Sequence, residues 1–461
     1  MKGATERVFR HALRKGENKR MVANKSWTST LLAALAVILV LAGCSSNGNQ
    51  PANTSNSSQT NHSNSGAEET ASNEPVEITF WNLFGGGEGD FVDQIVNGFN
   101  ESQKEVIVKT LRLESNEYYA KLGTALASGK GPDVAVAHAD RLAPFVKADQ
   151  LSPLDEIAAQ AQFDFNEITD ANVESVSYEG KPYAVPLDTH FHMFYYNKDI
   201  LSQAGLLNED GTPKFGEISP EGFKQFLTEI KNKVPGVTPF GVNTPYFHEP
   251  FYNLYYQAGG NILTDDLSQA ALNNDNAKNV LNFYLDLYDQ GLSDINDKTP
   301  WDSFHNGKSA TWFGGVWEAG WHLGEEGLNV GIASIPPFFG SDAHWSGSHT
   351  LVIPNYVSDE KKVASMKFMK YFTMEGGKIW ANAGHVPAGK AVVASEEYLN
   401  LPYRAEFIAS QQTVKYAPKT DQYNAIDTVV KEALQAIIFK TVSVEEGLSN
   451  MEKEINEIIQ N

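Results

Sequence analysis

Strand and helix patterns alternate along one stretch of the chain, and this alternation restricts the fold more than any other feature of the sequence. Residues 76–81, 106–113 and 132–136 have the pattern of β-strands. Apolar residues at helical spacing fill both intervals between them. A strand–helix–strand–helix–strand order predicts a parallel α/β sheet.

The carboxyl ends of these strands are where a ligand is expected, as in other open α/β sheets. Here they fall at residues 81–88 and 138–141. The first end carries a glycine-rich loop at residues 85–89, but its spacing is not that of a dinucleotide loop and no P-loop lysine follows. Glu88 and Asp90 would also repel a phosphate group. We therefore interpret the loop as a flexible or close-approach loop.

The N-terminal region is typical of a secretory signal. Residues 1–25 are basic, and residues 31–42 are all apolar. As a helix the apolar run spans about 18 Å, short of the ~30 Å core of a bilayer. The signal ends at Cys44, the one cysteine of the chain, in a Leu-Ala-Gly-Cys sequence that resembles a bacterial lipobox. The alternative is a short membrane anchor with an incidental cysteine, and Met21 is an alternative start.

A polar linker follows this signal. Ser, Asn, Thr and Gly dominate residues 45–75, which hold too few apolar groups to offset the entropy of ordering. We expect a flexible tether with a reach of about 30 Å. The predicted organisation is a signal peptide over residues 1–43, a lipidated cysteine and linker over residues 44–76, and a folded part beyond them.

Composition excludes several classes of protein. The chain has 36 Lys+Arg against 57 Asp+Glu, for a formal net charge of −21. A nucleic-acid-binding protein needs a basic face, so nucleic acid is not an expected partner. With 41% hydrophobic residues, the chain is neither disordered nor a multi-span membrane protein. A single cysteine excludes an intramolecular disulfide framework and a cysteine metal site.

Asp188, His190 and His192 alternate along a strand pattern, so their side chains share one face. Two histidines at this spacing can chelate a metal ion. Because no third histidine has suitable spacing nearby, we favour a polar strand face that lines a groove, with no metal bound.

Tryptophan is concentrated between residues 300 and 349. Trp317 follows a pair of glycines at a strand–helix junction, where side chains commonly face a cleft, and we expect it to contact a ligand. Trp321 lies one helical turn further on and is expected in the core. Five of the eight tryptophans lie in this segment: Trp301, Trp312, Trp317, Trp321 and Trp345.

Several short motifs follow one another through the folded part. They are FWN after the linker, SGKGPDV at 128–134, GKPYAVPLD at 180–188, YYNKDI at 195–200, FHNGKSATW at 304–312, FGGVWEAG at 313–320 and HVPAG at 385–389. In this order they resemble the extracellular solute-binding lipoproteins of carbohydrate ABC importers, the maltose-binding-protein-like family. The resemblance covers residues 77–461.

The resemblance implies a two-lobe α/β fold of the periplasmic-binding-protein type (type II), with hinge strands and a sugar cleft between the lobes. Closure would be a hinge motion around the ligand. The implied lobes are residues 77–187 with 349–386, and residues 188–348 with 387–461.

The resemblance also implies a set of sugar-contacting residues. Aromatic rings would stack on the apolar faces of the sugar, and carboxylates and an arginine would bond its hydroxyls. The acidic hinge position of the family falls on a histidine here, with a nearby aspartate as its substitute. The set is Asn82, Glu88, Asp140, Arg141, Asp188, His190, Tyr246, Trp317 and Tyr423. No cofactor and no catalytic residue is implied.

The resemblance implies a protein that captures a sugar, with an oligosaccharide favoured by the five tryptophans, and delivers it to the importer. The expected partners are this carbohydrate, the membrane subunits of the ABC importer, and the membrane itself through the lipid anchor. We expect a monomer on the extracellular face of the bacterial cytoplasmic membrane.

Two other classes of function stay open at this point. One is an anchored glycoside hydrolase, and the other is a receptor for a metal or another non-sugar solute. A hydrolase would draw its carboxylate pair from Asp140, Asp188, Glu249 and Glu318.

Overall fold

Two large β-sheets and one two-stranded sheet organise the residues that the computed structural model describes, 74–324 and 327–460. The strands are β1 (Val76–Asn82), β2 (Val106–Arg112), β3 (Val134–His138), β4 (Ser177–Tyr178), β5 (Lys181–Pro182), β6 (Val185–Pro186), β7 (Asp188–Asn197), β8 (Thr238–Gly241), β9 (Ser309–Gly315), β10 (Val330–Ala333), β11 (His344–Gly347), β12 (His349–Val352), β13 (Val386–Pro387) and β14 (Val414–Lys415). The predicted signal peptide, Cys44 and the linker up to residue 73 lie outside the described residues.

Helices surround these strands. They are α1 (Gly86–Ser102), α2 (Ser115–Ser128), α3 (Leu142–Lys147), α4 (Asp155–Gln160), α5 (Asp170–Ser175), α6 (Lys198–Ala204), α7 (Pro220–Lys233), α8 (His248–Gln257), α9 (Asp275–Asp289), α10 (Pro300–His305), α11 (Ala319–Gly324), α12 (Asp359–Thr373), α13 (Glu375–Ala383), α14 (Lys390–Val393), α15 (Glu396–Leu399), α16 (Arg404–Gln411), α17 (Tyr423–Ile438) and α18 (Val444–Ile459). Within the described part of the chain, none of them combines the length and apolar character needed to cross a bilayer.

The first sheet has the strand order β2-β1-β3-β12-β6. Strand β1 pairs in parallel with both β2 and β3, which confirms the predicted parallel arrangement. Ile78 and Phe80 alternate into its core, and Ile95 and Phe99 of α1 pack in the same cluster. Because alternate strand residues share a face and helix residues four apart share a face, this local pattern was sufficient to predict the unit.

The second sheet has the order β14-β11-β7-β9-β8, and β10 and β13 also pair with β7. All ten residues of β7 are buried, and the strand pairs with β9, β10, β11 and β13. It ends at Asn197, whose Oδ1 accepts hydrogen bonds from the backbone N–H groups of Asp199 (3.0 Å) and Ile200 (3.1 Å). This side-chain cap starts α6 directly after the strand.

The chain passes between the two sheets three times: between β6 and β7, between β11 and β12, and between α13 and β13. Backbone hydrogen bonds join these crossings. The N–H of Leu187 donates to the carbonyl of His349 (2.8 Å), and the N–H of Ala388 donates to the carbonyl of Leu187 (3.0 Å). The two sheets therefore belong to two lobes held by three adjacent segments.

Candidate ligand-binding site

A cavity of about 730 Å³ is lined by residues associated with both sheets. It includes the carboxyl ends of β1 and β3, where parallel sheets bind ligands. Its volume falls within the range of about 300–1,000 Å³ that is common for small-molecule sites. The lining residues are Leu83, Glu88, Glu114, Tyr119, His138, Asp140, Arg141, His190, Tyr246, His248, Glu249, Trp317, Trp345, Ser346, Gly347, His349, Ala417, Tyr423, Asp427 and Lys431.

Aromatic rings form part of this lining. The rings of Trp317 and Trp345 lie 5.5 and 5.2 Å from the ring of His192, centroid to centroid. Gly315 leaves the space for the indole of Trp317, because a Cβ atom at that position would lie 2.2 Å from it. Tyr246 is 54% exposed, so its ring is accessible to a ligand.

A second cavity, of about 980 Å³, adjoins the first. The two share Glu88, Tyr246, Glu249 and Trp317 as lining residues. Trp321 lines only the second cavity, and it is 43% exposed. The expectation that Trp321 lies in the core is therefore wrong. Its ring stacks on His305 at 3.9 Å instead, which orders the side chain at the surface.

Asp140 lines the cavity with a carboxylate whose two oxygens differ in their surroundings. Its Oδ1 is buried, and it accepts no hydrogen bond within the described residues. Burial raises the pKa of Asp140, while Arg141, whose Nε lies 3.9 Å from Oδ1, acts in the opposite direction. An unpaired buried acceptor costs about 1–3 kcal/mol. A ligand hydroxyl that donates to Oδ1 would remove this cost.

Arg141 is occupied by contacts across the cavity. Its Nη2 donates to Oδ2 of Asp427 at 2.8 Å, and its Nη1 donates to Oδ1 of Asn424 at 2.5 Å. Lys431 donates to the same oxygen of Asp427 at 2.7 Å. The two cations of the lining thus share one carboxylate of α17, and their charge is largely compensated within the protein.

Two further carboxylates of the lining, those of Glu249 and Glu88, each contact a histidine. His192 Nε2 lies 3.5 Å from Glu249, and Asn243 donates to the same carboxylate at 3.3 Å. Burial alone would raise the pKa of Glu249, but the hydrogen bond from His192 and the nearby histidines bring it below its ordinary value. Glu88 Oε1 lies 2.7 Å from Nε2 of His385.

Asp188 is fully buried beside the cavity and accepts several hydrogen bonds. Its Oδ2 lies 2.9 Å from His349 Nδ1 and accepts from Trp380 Nε1 at 2.8 Å, and its Oδ1 lies 3.1 Å from His190 Nδ1. Burial would raise the pKa of Asp188, yet the charge of His349 holds it well below its ordinary value. Burial would lower the pKa of His349, but the nearby Asp188 carboxylate outweighs this effect, so the pKa lies above its ordinary value. The pair is a buried ion pair where the sheets meet.

The sequence comparison shows which family this arrangement belongs to. Residues 94–405 match the family described as bacterial extracellular solute-binding protein. The chain belongs to this family. Its members are solute-binding proteins, so the protein is a solute-binding protein and not the glycoside hydrolase considered as an alternative.

Known relatives of this solute-binding protein support the same assignment. It is 25% identical to the maltotriose-binding protein of Pyrococcus abyssi over 348 residues, which is 72% of each chain. Its fold is similar to that of an ABC substrate-binding protein from Listeria monocytogenes solved in complex with cycloalternan, with a TM-score of 0.75, 20% identity, and coverage of 84% of this chain and 99% of that chain. UgpB of Mycobacterium tuberculosis, solved with glycerophosphocholine, also gives a TM-score of 0.75 at 20% identity, covering 83% and 98%. The predicted two-lobe α/β fold is confirmed.

In this solute-binding protein, seven of the nine predicted binding residues line the same cavity. The other two, Asn82 and Asp188, are not in its lining. Asn82 is fully buried, and its Oδ1 accepts from the N–H of Phe84 at 3.2 Å, so it shapes the turn after β1. Asp188 is enclosed by its histidine and tryptophan donors. The predicted residues that line the cavity are Glu88, Asp140, Arg141, His190, Tyr246, Trp317 and Tyr423.

Other lining residues were not predicted as ligand contacts. Trp345 lies in the tryptophan-rich segment, and His138 comes two residues before Asp140, so both had a signal nearby in the sequence. His349 had none, because it reaches the cavity only through the pairing of β12 with β3. Glu249 was named from the sequence only as a carboxylate of the hydrolase alternative. The other unpredicted residues that bear most on ligand chemistry are Tyr119, His138, Trp345 and His349.

Proposed function

We propose that this protein captures a sugar in the cavity between its lobes and delivers it to a carbohydrate ABC importer. The observation that carries the proposal is the combination, in one cavity, of accessible rings with a carboxylate oxygen that accepts no hydrogen bond within the described residues. A pyranose has apolar C–H faces and a rim of hydroxyls. The rings of Trp317 and Tyr246 suit the faces, and Oδ1 of Asp140 suits a hydroxyl donor.

The charge of the lining favours a neutral ligand over an anionic one. Arg141 and Lys431 are its two cations, and both contact Asp427. The UgpB neighbour was solved with a phosphate-containing ligand, so the fold alone does not select a sugar. The excess of carboxylates here would repel a phosphate group. The acidic residues of the lining are Glu88, Glu114, Asp140, Glu249 and Asp427.

The adjoining cavity favours an oligosaccharide over a monosaccharide. Trp317 and Tyr246 line both cavities, so one sugar chain can pass from the first to the second along the same rings. Trp301 and Trp321 extend the aromatic surface in the second cavity. One relative is named for binding maltotriose, and one structural neighbour was solved with cycloalternan. Both support this choice of ligand class.

We place the lobe boundaries where the sequence predicts them, at residues 187/188, 348/349 and 386/387. The three chain crossings would act as the hinge. The contact of Arg141 with Asp427 lies between the lobes on the cavity side, so opening of the hinge would break it. Ligand binding would then favour the closed form by adding contacts to both lobes.

Attachment through an acylated Cys44 belongs to the same proposal. The basic segment, the short apolar run and the polar linker support it, as does the extracellular character of the family. Replacement of the cysteine, Cys44→Ala, should release or mislocalise the protein in a membrane fractionation experiment. Unchanged retention in the membrane would contradict lipidation. The protein would act as a monomer that docks on the membrane subunits of the importer.

The central experiment is a thermal-shift screen of the full-length chain against monosaccharides, oligosaccharides of increasing length and glycerophosphodiesters, with divalent metals in parallel. A ligand at 100 times its Kd stabilises the folded state by about 2.7 kcal/mol, which raises Tm measurably. We expect a shift with one oligosaccharide series. A shift with glycerophosphodiesters alone, or with no sugar in a broad panel, would contradict the proposal.

A further inference from the structure

Four metal-ligating side chains meet where the chain crosses between the lobes. Asp188 and His190 come from β7, His349 begins β12, and His385 directly precedes β13. All four residues are buried, and their candidate ligand atoms all lie within 4.8 Å of one another. Each of the three crossings contributes at least one of them.

The spacing of these atoms resembles that of a four-coordinate metal site. Zinc–nitrogen and zinc–carboxylate bonds of about 2.0–2.1 Å in a tetrahedron place neighbouring ligand atoms about 3.3–3.4 Å apart. The Nδ1 atoms of His190, His349 and His385 lie 3.1, 2.9 and 3.4 Å from oxygens of Asp188. Three imidazoles therefore present the same ring nitrogen to one carboxylate.

One of these nitrogens has no hydrogen-bond partner. Nδ1 of His385 is buried and makes no hydrogen bond within the described residues, although it lies 3.4 Å from Asp188. An unsatisfied buried polar atom is uncommon in proteins and calls for an explanation. Coordination of a cation by its lone pair would satisfy it.

Two of the four candidate ligands, His385 and Asp188, make hydrogen bonds with neighbouring groups, as the ligands of bound metal ions commonly do. The other nitrogen of His385, Nε2, lies 2.7 Å from Glu88, which is the carboxylate–histidine contact that orients metal ligands. Trp380 donates to Oδ2 of Asp188, and the N–H of His349 donates to Oδ1 at 3.0 Å. Gly347 leaves room for the ring of His190, because a Cβ atom on residue 347 would lie 2.4 Å from Nε2 of that ring.

We propose that Asp188, His190, His349 and His385 bind one zinc-class transition-metal ion that ties the three crossings of the hinge together. Three imidazole nitrogens and one carboxylate suit Zn²⁺, whereas Ca²⁺ and Mg²⁺ take oxygen ligands. Four protein ligands complete a tetrahedron, which is the arrangement of a structural site. The ion would replace the protons that the histidines now share with Asp188.

Such an ion would act on the hinge and not as the transported solute. Its ligands come from both lobes and from all three crossings, so it would restrict their relative movement. Two of the ligands, His190 and His349, also line the sugar cavity. The ion would therefore fix the orientation of two rings at the cavity wall. The inference goes beyond sugar capture and does not depend on it.

The test is a metal titration of the purified full-length chain after treatment with EDTA and dialysis. We expect one equivalent of Zn²⁺ to bind and to raise Tm. Co²⁺ should bind competitively with Zn²⁺ and give the strong visible absorption of a tetrahedral site. His385→Gln and His190→Gln should lose this equivalent and the absorption. Glu88→Gln should weaken binding about 10- to 100-fold.

A matched control is His344→Gln. His344 is also buried and lies 2.9 Å from a carboxylate, that of Asp342, but it is not in the cluster. This variant should keep the full equivalent of metal. The proposal is overturned by failure of the parent chain to take up stoichiometric metal, by equal uptake in His385→Gln, or by the weak absorption of octahedral Co²⁺. Sugar-induced thermal shifts in EDTA would show separately that sugar capture stands.

Discussion

The two lobes bring different chemistry to one cavity. The second sheet and its loops supply the accessible rings, with Trp317 directly after β9, Trp345 on β11 and Tyr246 before α8. The first sheet supplies the unpaired acceptor, Oδ1 of Asp140, just beyond β3. Each lobe alone would therefore offer a sugar only one of the two kinds of contact.

Two groups of the lining depart from this division, but each is already engaged by a neighbouring side chain. Tyr119 is a ring on the first lobe, but its hydroxyl lies 2.5 Å from Nδ1 of His138 and its face lies near Arg141. Glu249 is a carboxylate on the second lobe, but His192 occupies it. Under the proposed function, closure and recognition would be coupled, because a ligand would gain both stacking and a charged hydrogen bond only when the lobes are together.

Loss of the buried aspartate at the junction between the lobes should reduce the stability of the protein more than any other change considered below. In Asp188→Asn, the charge of His349 loses its buried partner. Removal of one member of a buried ion pair typically costs about 3–5 kcal/mol. We expect a loss of this size in the free energy of unfolding, measured by denaturant titration in EDTA.

Asp342→Asn is the control for this prediction. The side chain of Asp342 is 56% exposed, although it too contacts a histidine. Its replacement should change stability by less than about 1 kcal/mol. If Asp188→Asn kept the parent stability but lost sugar binding, the aspartate would belong to the ligand site rather than to the junction.

A second effect depends on pH and arises in the second lobe. Burial raises the pKa of Glu318 to about 8, from an ordinary value of 4.5. The folded protein therefore holds this proton between pH 4.5 and 8, while the unfolded chain releases it. Because the folded state binds more protons there, the free energy of unfolding falls as pH rises through this interval, by at most about 1.4 kcal/mol per unit.

Glu318→Gln isolates this contribution. The variant cannot titrate at this position, so the difference in unfolding free energy between variant and parent should change steadily from pH 4.5 to 8, in favour of the variant at the upper end. Parallel pH profiles for the two proteins would show that Glu318 is ionised throughout. A difference that grows with pH would show that the second lobe keeps a carboxyl neutral beside its rings.

Local patterns in the sequence were sufficient for the parallel strands β1, β2 and β3 of the first sheet and for part of the cavity, whereas β12 and β6 join that sheet by antiparallel pairing across long sequence separations. The alternation in β1 and the helical spacing in α1 each follow from contacts within a few residues. Trp317 was predicted from the glycine pair before it, and the structure shows why: a Cβ on Gly315 would occupy the place of the indole. Trp321 could not be placed correctly, because its surface position depends on stacking with His305.

Only half of the cluster at the crossings had a local signal, the alternation of Asp188 and His190. His190 is two residues from Asp188, but His349 is 161 residues away in the chain. Their meeting depends on the pairing of β12 with the first sheet and of β13 with β7. A metal interpretation based on sequence spacing could use only Asp188, His190 and His192, and the structure directs His192 to Glu249 instead.

A smaller effect tests the contribution of the first lobe to the cavity. Asp140→Asn keeps the shape of the side chain but removes its charge, so a sugar hydroxyl would lose a charge-assisted partner. We expect sugar affinity to fall by about 2 kcal/mol, or roughly 30-fold, in isothermal titration calorimetry. Asp359→Asn is the control, since Asp359 lines neither cavity and its side chain is exposed. Equal losses in both variants would point to a general effect of charge.

The smallest effect tests the contribution of the second lobe and the length of the ligand. Trp317→Ala should weaken binding of every sugar in the series by about 1–1.5 kcal/mol, or roughly 5- to 12-fold, because its ring lines both cavities. Trp321 lines only the second cavity, so Trp321→Ala should weaken binding of the longer sugars and leave the shortest unchanged. If both variants lost affinity equally for the shortest sugar, the two cavities would not be successive parts of one binding cleft. If neither lost affinity for any sugar, the rings of the second lobe would not contact the ligand, and the division between the lobes would have to be abandoned.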